Sequence, residues 1–444
     1  MKKIAITTLG CKVNQFESAA FATAFEAQGC QLVAFGAAAD VYVINTCTVT
    51  ARAGQQSRQL IRRVLLAHPE ARIVVTGCYA QMDPETVLGL AEQPVTIIGN
   101  GNKHLLVETA LAEEHPDLVM LMGQIRRKKE ICDLPVKRFR GRTRAYLRIQ
   151  DGCDNLCSYC IVPFTRGRSR SLPLARVLQQ VEVFAEQGYK ELVITGINVG
   201  KYGLDLAEQQ TIYSLLDRIC RDFPSLRMRL SSIEPTEVND HLLELMTTHA
   251  NLMPHLHIPL QSGDDEILAR MNRRYTRAEF AAVIDRVHRA LPTAAIGCDV
   301  LGGFPGESEQ EAENTYQLLA EVPVHYLHVF PYSRRPGTLA ASFGQQLPGP
   351  VKDARVQRLR RLDGEKRVQF YQENIGSFHQ VLVERRSPKS GLLQGFSENY
   401  LPVFFPGSST LLRQVVPVRI TGIEEGQPMG CVVDAVLEEN HGNR

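Results

Sequence analysis

The chain has 444 residues, is 44% hydrophobic and 22% charged, and carries a formal net charge of +2. That balance suits two or three globular domains, each with its own core, and no apolar run approaches the 18 residues of a bilayer-spanning helix. Eleven cysteines in so long a chain point to metal binding rather than to a small disulfide scaffold.

The first residues, Met-Lys-Lys-Ile-Ala-Ile-Thr-Thr-Leu-Gly, are charged and then apolar, as a signal peptide would be. The apolar part is short and meets Cys11 and Lys12 at once, so it reads as a first strand, with the cytoplasm as the expected compartment and no membrane partner. Lys3–Thr8, Val41–Ile44 and Ile73–Val75 are predicted as buried parallel strands. Amphipathic helical stretches, residues 17–28 and 55–67, lie between them, which is the pattern of an α/β domain on a parallel sheet over residues 1–122. Each strand is followed within a few residues by a cysteine: Cys11, Cys47 and Cys78. The carboxyl ends of parallel strands share one edge, where ligands bind, so cysteines 31 to 36 positions apart are expected to converge there. Three at one topological position suggest a cluster site, where one alone would be an ordinary core thiol. Cys30, Cys132, Cys220, Cys298 and Cys431 have no such partners and read as structural.

Charge is uneven along the chain. Residues 1–120 hold 9 Lys+Arg against 11 Asp+Glu, whereas 124–148 hold 10 against 2. The stretch 123–143 therefore reads as a basic linker, and Arg126, Arg127, Lys128, Lys129, Lys137, Arg138, Arg140 and Arg142 suit an RNA backbone as well as a solvated surface.

From residue 144 to 370, six strands recur with helical periods between them: Ala145–Ile149, Glu191–Ile194, Arg227–Leu230, His255–Ile258, Ala294–Val300 and His325–Phe330. This predicts a partial (β/α)6 barrel, with chemistry in the loops at the carboxyl ends of its strands. The loop after the first strand carries Cys153, Cys157 and Cys160, spaced C-x3-C-x2-C. Three thiolates hold three corners of a cubane iron–sulfur cluster and leave one iron open for exchangeable ligands. A structural zinc would need a fourth ligand, and no cysteine or histidine lies nearby in sequence.

The later loops offer Thr195-Gly196-Ile197-Asn198, Ser232 and Glu234, Gln261, Gly303 and Tyr332. Glycine would let the backbone approach a ligand, and the polar groups could hydrogen-bond a ribose or an amino-acid moiety, or cap helices. Tyr332 could stack on an adenine, with Arg334 and Arg335 beside it. Residues 352–370 read as a basic helical connector. Short alternating runs after Gln380 (380–384, 400–404, 415–420 and 431–437) predict a small all-β barrel over 371–440.

Leu-Gly-Cys11-Lys-Val-Asn-Gln, Asn-Thr-Cys47, Gly-Cys78, the Cys153 loop with Tyr159 before its last cysteine, Ser-Ser-Ile-Glu-Pro and Gln-Ser-Gly-Asp occur in order. Together they resemble the methylthiotransferases of the radical S-adenosylmethionine (SAM) superfamily. The Gly-Cys-Lys-Val-Asn-Gln signature is similar to the branch acting on N6-threonylcarbamoyladenosine at position 37 of tRNA, and the terminal segment (Gly395, Asn399, Tyr400) to the TRAM RNA-binding domain. The resemblance implies two [4Fe-4S] clusters, on Cys153, Cys157, Cys160 and on Cys11, Cys47, Cys78. It implies SAM both as radical source and as methyl donor, held near Tyr159, Thr195, Gly196, Asn198, Ser232, Glu234, Gln261, Gly303 and Tyr332. It also implies a low-potential electron donor of flavodoxin or ferredoxin type and a source of sulfur. Competing substrates are isopentenyladenosine in tRNA and an aspartate of a ribosomal protein. A cluster-bearing RNA-binding sensor is the reading from another class.

Overall fold

The computed structural model describes residues 1–90, 94–113, 119–208 and 210–433. The amino-terminal part is a six-stranded, wholly parallel sheet: β1 Lys3–Thr8, β2 Gln31–Val33, β3 Val41–Thr46, β4 Arg72–Gly77, β5 Val95–Ile98 and β6 Val119–Leu121. Its order, β2-β1-β3-β4-β5-β6, reverses direction between β1 and β3, the topological switch point at which open α/β sheets bind ligands. The three predicted strands are all present. β2, β5 and β6 are additional, and helices α1 Lys12–Ala27 and α2 Ala51–Ala67 start earlier than their apolar periodicity suggested.

The expected basic linker does not hang free. Leu134, Val136 and Phe139 are buried in the same core as Phe16, Tyr146 and Phe184, and Phe139 meets Tyr146 edge-on with centroids 5.5 Å apart. Most of its cations face outward, and of these Arg138 and Arg140 pair with Glu26 of α1.

The central strands are β7 Ala145–Arg148, β10 Glu191–Thr195, β11 Arg227–Leu230, β12 His255–His257, β13 Ala295–Gly302 and β14 Tyr326–Pro331, with a short pair β8 Gln150–Asp151 and β9 Arg170–Ser171 framing the first loop. They form two parallel three-stranded sheets, β11-β10-β7 and β12-β13-β14. An isolated bridge, Met228 to Leu252, and the Ile233 N–H donating to the His257 carbonyl at 2.9 Å join the sheets into one partial barrel. Alternation sends Leu192, Ile194, Met228, Leu230, Leu256, Val300 and Leu327 outward into the helix-covered core, so Glu191, Arg229, His257, Asp299 and His328 face the lumen. Helix α1 packs on β7, placing Phe16 5.1 Å beneath the Arg148 guanidinium and closing the open side of the barrel.

The segment expected as a connector is the sixth barrel helix, Gly349–Glu373, packed on β13 and β14. Beyond it a closed five-stranded barrel, β15-β16-β17-β19-β18, is built from β15 Phe378–Arg386, β16 Leu393–Phe396, β17 Pro402–Phe405, β18 Val415–Glu424 and β19 Gln427–Val432. The last predicted run, 431–437, thus begins earlier, and Asp434 onward lies outside the described residues. This barrel sits against the amino-terminal ends of the central strands. Arg229 donates to the Glu398 and Ser397 carbonyls at 2.9 and 3.1 Å, and Arg227 to the Gln380 carbonyl at 3.0 Å. Tyr400, at a left-handed φ of 68°, lies under Arg229 and against His255.

Candidate active site: two cysteine triads above one barrel

Cys11, Cys47 and Cys78 stand at the carboxyl ends of β1, β3 and β4, on and beside the switch point. Two glycines let these chain ends approach. A Cβ on Gly10 would lie 2.7 Å from Cys47 Sγ, and one on Gly77 would lie 2.3 Å from the Thr46 carbonyl; both residues have φ of +96°. Asn14 ties the turns together, donating to the Leu9 and Thr46 carbonyls at 2.7 and 3.0 Å. Asn45 donates in turn to the Asn14 carbonyl at 2.9 Å. Cys11 is the N-cap of α1 and carries no side-chain cap, so its sulfur sits where the helix end favours negative charge.

The Cys153–Cys157–Cys160 triad lies in the loop between β8 and β9. Gly152 brings that loop against the Arg168 carbonyl, 1.9 Å from where its Cβ would be. The Cys153 N–H donates to the Gly167 carbonyl at 3.1 Å and the Cys160 N–H to the Cys157 carbonyl at 3.0 Å. Ser158 anchors the loop to the Arg270 carbonyl at 2.8 Å. Arg273 approaches Cys157 Sγ at 3.4 Å while its guanidinium grips Glu234.

A buried charge network links the two triads. Helix Val162–Arg166 follows Cys160 directly, and Arg166, 1% exposed, donates to Glu17 at 3.1 Å, Asp151 at 2.9 Å and Asn14 at 2.5 Å. Lys103 pairs with the same Glu17. Burial alone would raise the Glu17 carboxyl, but Arg166, Lys103 and Arg148 override it and hold the group below the ordinary range. The Arg166 charge also acts on Cys11. Asn100 completes the join, donating to the Thr165 carbonyl at 2.7 Å and lying 3.8 Å from Cys78 Sγ.

The donor sets fit polynuclear iron–sulfur centres. Among the described residues neither triad brings its three sulfurs within 4.8 Å of one another, whereas thiolates on a single tetrahedral zinc stand about 3.8 Å apart. Burial pushes the thiols up, Cys47 and Cys153 to about 11 and Cys160 to about 12, so binding of metal would displace protons. The charges acting most strongly on Cys11 and Cys47 come from Arg166, Glu17 and the companion thiols, not from a histidine or a fourth cysteine.

The other sequence candidates divide. Thr195 and Asn198 flank the loop after β10, and both amide atoms of buried Asn198 lack a partner. Ser232 is exposed, and Gln261 adopts φ of 70° beyond β12, where it bridges Val300 of β13. Tyr159, within the cluster loop, is half-buried. Three positions have close packing neighbours. Gly196 makes room for Gln150, whose Oε1 accepts from the Ile197 and Asn198 N–H groups at 2.9 Å each. Gly303 makes room for Lys352, its Cβ site being 2.3 Å from that side chain. Tyr332, 4% exposed, is packed edge-on against Phe304. Arg335 and Ser333 contact the loop after Cys47: Arg335 donates to Thr48 Oγ1, and Ser333 Oγ accepts from the Ala51 N–H at 2.8 Å. Gln150, Arg166 and Arg273 were not anticipated from sequence.

Residues 3–99 match the Uncharacterized protein family UPF0004, and residues 147–319 match the Radical SAM superfamily. A structure of the radical S-adenosylmethionine methyltransferase TsrM from Kitasatospora setae, with cobalamin and a [4Fe-4S] cluster bound, shares the fold over 77% of each chain (TM-score 0.55, 16% identity). The chain is a radical SAM protein with an amino-terminal α/β domain of the UPF0004 type.

The relatives are more specific. The threonylcarbamoyladenosine tRNA methylthiotransferase of Bacillus subtilis is 36% identical, covering 99% of both chains, and that of Aquifex aeolicus is 37% identical, covering 90% of this chain and 96% of its own. The tRNA-2-methylthio-N(6)-dimethylallyladenosine synthase of Geobacillus kaustophilus is 32% identical, covering 99% of this chain and 84% of its own. The chain belongs to the family of threonylcarbamoyladenosine tRNA methylthiotransferases. Superfamily membership brings with it SAM and a [4Fe-4S] cluster.

Proposed function

We propose that the chain places a methylthio group on C2 of N6-threonylcarbamoyladenosine at position 37 of tRNA. One SAM carries away the C2 hydrogen as 5′-deoxyadenosine, and a second provides the methyl group. The observation that carries this reading is the pair of three-cysteine sets, one at the end of the α/β sheet and one at the mouth of the barrel, joined through Arg166. Cys153, Cys157 and Cys160 would hold the cluster common to the superfamily, and Cys11, Cys47 and Cys78 a second one. When bound, these groups supply a 5′-deoxyadenosyl radical on one-electron reduction and a site for the transferable sulfur.

The protein's own residues bind, orient and shield. Arg273 and Glu234 clamp Cys157 and fix the cluster loop. The free amide of Asn198, with Thr195, Ser232, Gln261 and Tyr159, supplies polar contacts for SAM at the strand ends. Arg166 places a positive charge beside the second thiolate set, where the low local dielectric strengthens it. The basic face of 123–143 and the terminal barrel hold the RNA, and the base leaves its stack to reach the lumen. A flavodoxin- or ferredoxin-type donor and a sulfur donor complete the reaction in the cytoplasm.

The test is mass spectrometry of tRNA nucleosides after anaerobic incubation of reconstituted protein with SAM, reductant and sulfide. The expected product is 2-methylthio-N6-threonylcarbamoyladenosine. SAM cleavage with no methylthiolated nucleoside removes the substrate claim, and no SAM cleavage at all leaves the sensor reading.

A further inference from the structure

Barrel lumens are commonly filled with branched aliphatic side chains. Here the lumen face of β12–β14 carries His255, His257, Asp299, Tyr326 and His328, joined by hydrogen bonds. His255 Nε2 lies 2.7 Å from the Tyr326 hydroxyl, which lies 3.3 Å from His257 Nδ1. His257 Nε2 and His328 Nδ1 then meet one oxygen of Asp299 at 3.0 and 3.4 Å. The lower end of this chain is sealed by Tyr400, but the upper end is open: the Asp299 side chain is 28% and that of His328 50% exposed. Holding so many polar groups in a lumen is costly unless they are paired or used.

One further cation comes from the other domain. Lys12 is the exposed first residue of α1, the helix whose Phe16 packs on Arg148 of β7, and the charges of Arg144, Asp299 and Arg229 act on its ammonium. It forms no ion pair among the described residues. The signature residue beside Cys11 therefore stands at the open side of the barrel that holds the polar lumen.

The geometry points to the substrate's side chain. In adenine, C2 and C6 are separated only by N1, so a base with C2 at the Cys11–Cys47–Cys78 triad carries its N6 substituent within reach of the neighbouring lumen. A threonylcarbamoyl group ends in a carboxylate and a hydroxyl and contains a ureido unit; an isopentenyl group is pure hydrocarbon. We propose that the lumen between Lys12 and the His257–Asp299–His328 group is the pocket for the threonylcarbamoyl substituent. Lys12 pairs with its carboxylate, and the Asp299-anchored imidazoles hold its hydroxyl and ureido groups. This deepens the methylthiotransferase reading and rests on it. A site built from hydrogen-bonding groups rejects an analogue lacking the partners by orders of magnitude, which an apolar pocket cannot do.

The experiment measures binding of anticodon stem-loops to the reconstituted holoenzyme under anaerobic conditions, with position 37 as N6-threonylcarbamoyladenosine, plain adenosine or isopentenyladenosine. The wild-type protein is expected to prefer the threonylcarbamoyl hairpin by at least about tenfold, or about 1.4 kcal/mol. Lys12→Met, His328→Leu and Asp299→Asn should each collapse that ratio toward one. Lys12→Met removes no buried partner and keeps the test valid if Asp299→Asn fails to fold. Retention of the ratio in Lys12→Met and His328→Leu, with methylthiolation intact, overturns the pocket alone. A wild-type protein that methylthiolates none of the hairpins overturns the functional reading itself. Two imidazoles and a carboxylate can also ligate a divalent cation, so a stoichiometric non-iron metal lost in Asp299→Asn would overturn the proposal in favour of a metal site.

Discussion

At the scale of single residues the site depends on where side chains are missing as much as on where they are present. Gly10 leaves no room for a Cβ beside Cys47 and holds a left-handed φ, so Gly10→Ala should disturb the Cys11–Cys47–Cys78 triad and spare the Cys153–Cys157–Cys160 triad. Iron analysis after reconstitution should fall from about eight to about four per chain, as it should when Cys153, Cys157 and Cys160 are all replaced by alanine. Only the cysteine variant should lose SAM cleavage through loss of its cluster. The six cysteines were legible in the sequence because their spacing and their places after strands are local facts. Gln150, Arg166 and Arg273 were not, because each acts through partners distant in sequence: Arg166 reaches Asn14 across 152 positions. The close approach of Gln150 to Gly196 and of Lys352 to Gly303 was illegible for the converse reason, since a glycine cannot announce which neighbour it makes room for.

At the scale of elements, the strands were readable from their outward apolar residues, whereas the inward ones carry the less expected charges. Glu191 of β10 meets Arg229 at 2.7 Å, with Arg227 at 3.2 Å and Arg144 at 3.7 Å. Burial alone would raise its carboxyl, yet these guanidiniums hold it below the ordinary range. Glu191→Gln strands buried cations and should cost about 3–5 kcal/mol, read as a lowered urea midpoint. His325, just before β14, accepts the Ile296 N–H on Nδ1 at 2.9 Å. Burial, with His288 and Lys366 nearby, lowers it from 6.5 to about 4. The unfolded chain thus binds this proton first, so the contribution is complete above pH 6.5 and is lost as pH falls toward 4. Urea midpoints between pH 7 and pH 5 should fall more steeply in the wild type than in His325→Asn. β2, β6 and β16 escaped prediction because three or four residues carry too little pattern, and their pairing partners lie elsewhere in the chain.

At the scale of the whole molecule, the charged stretch read as a linker is a seam. Its apolar residues stitch the α/β domain to the barrel, and Arg138, Arg140 and Arg142 line a cleft of about 400 Å³ with Arg413 of the terminal barrel. Arg138 and Arg140 are already engaged by Glu26, which leaves Arg142 and Arg413 as the better candidates for phosphate. Replacing both by alanine should weaken tRNA binding for all species alike and reduce the slope of log K against log salt by about one for each phosphate no longer neutralised. Filter binding over a salt series checks this. A slope unchanged from wild type would place the RNA elsewhere.

The terminal barrel, by seating Tyr400 and Phe396 beneath Arg229 and Arg144, makes the reaction chamber a cul-de-sac. With the RNA held over the opposite end, as proposed, whatever enters or leaves would pass the doorway that the nucleic acid occupies. Spent nucleoside and methionine then queue behind the departing tRNA, and an excess of finished tRNA should throttle the escape of 5′-deoxyadenosine in single-turnover traces. Tyr400→Ala, which opens a back exit, should relieve that congestion.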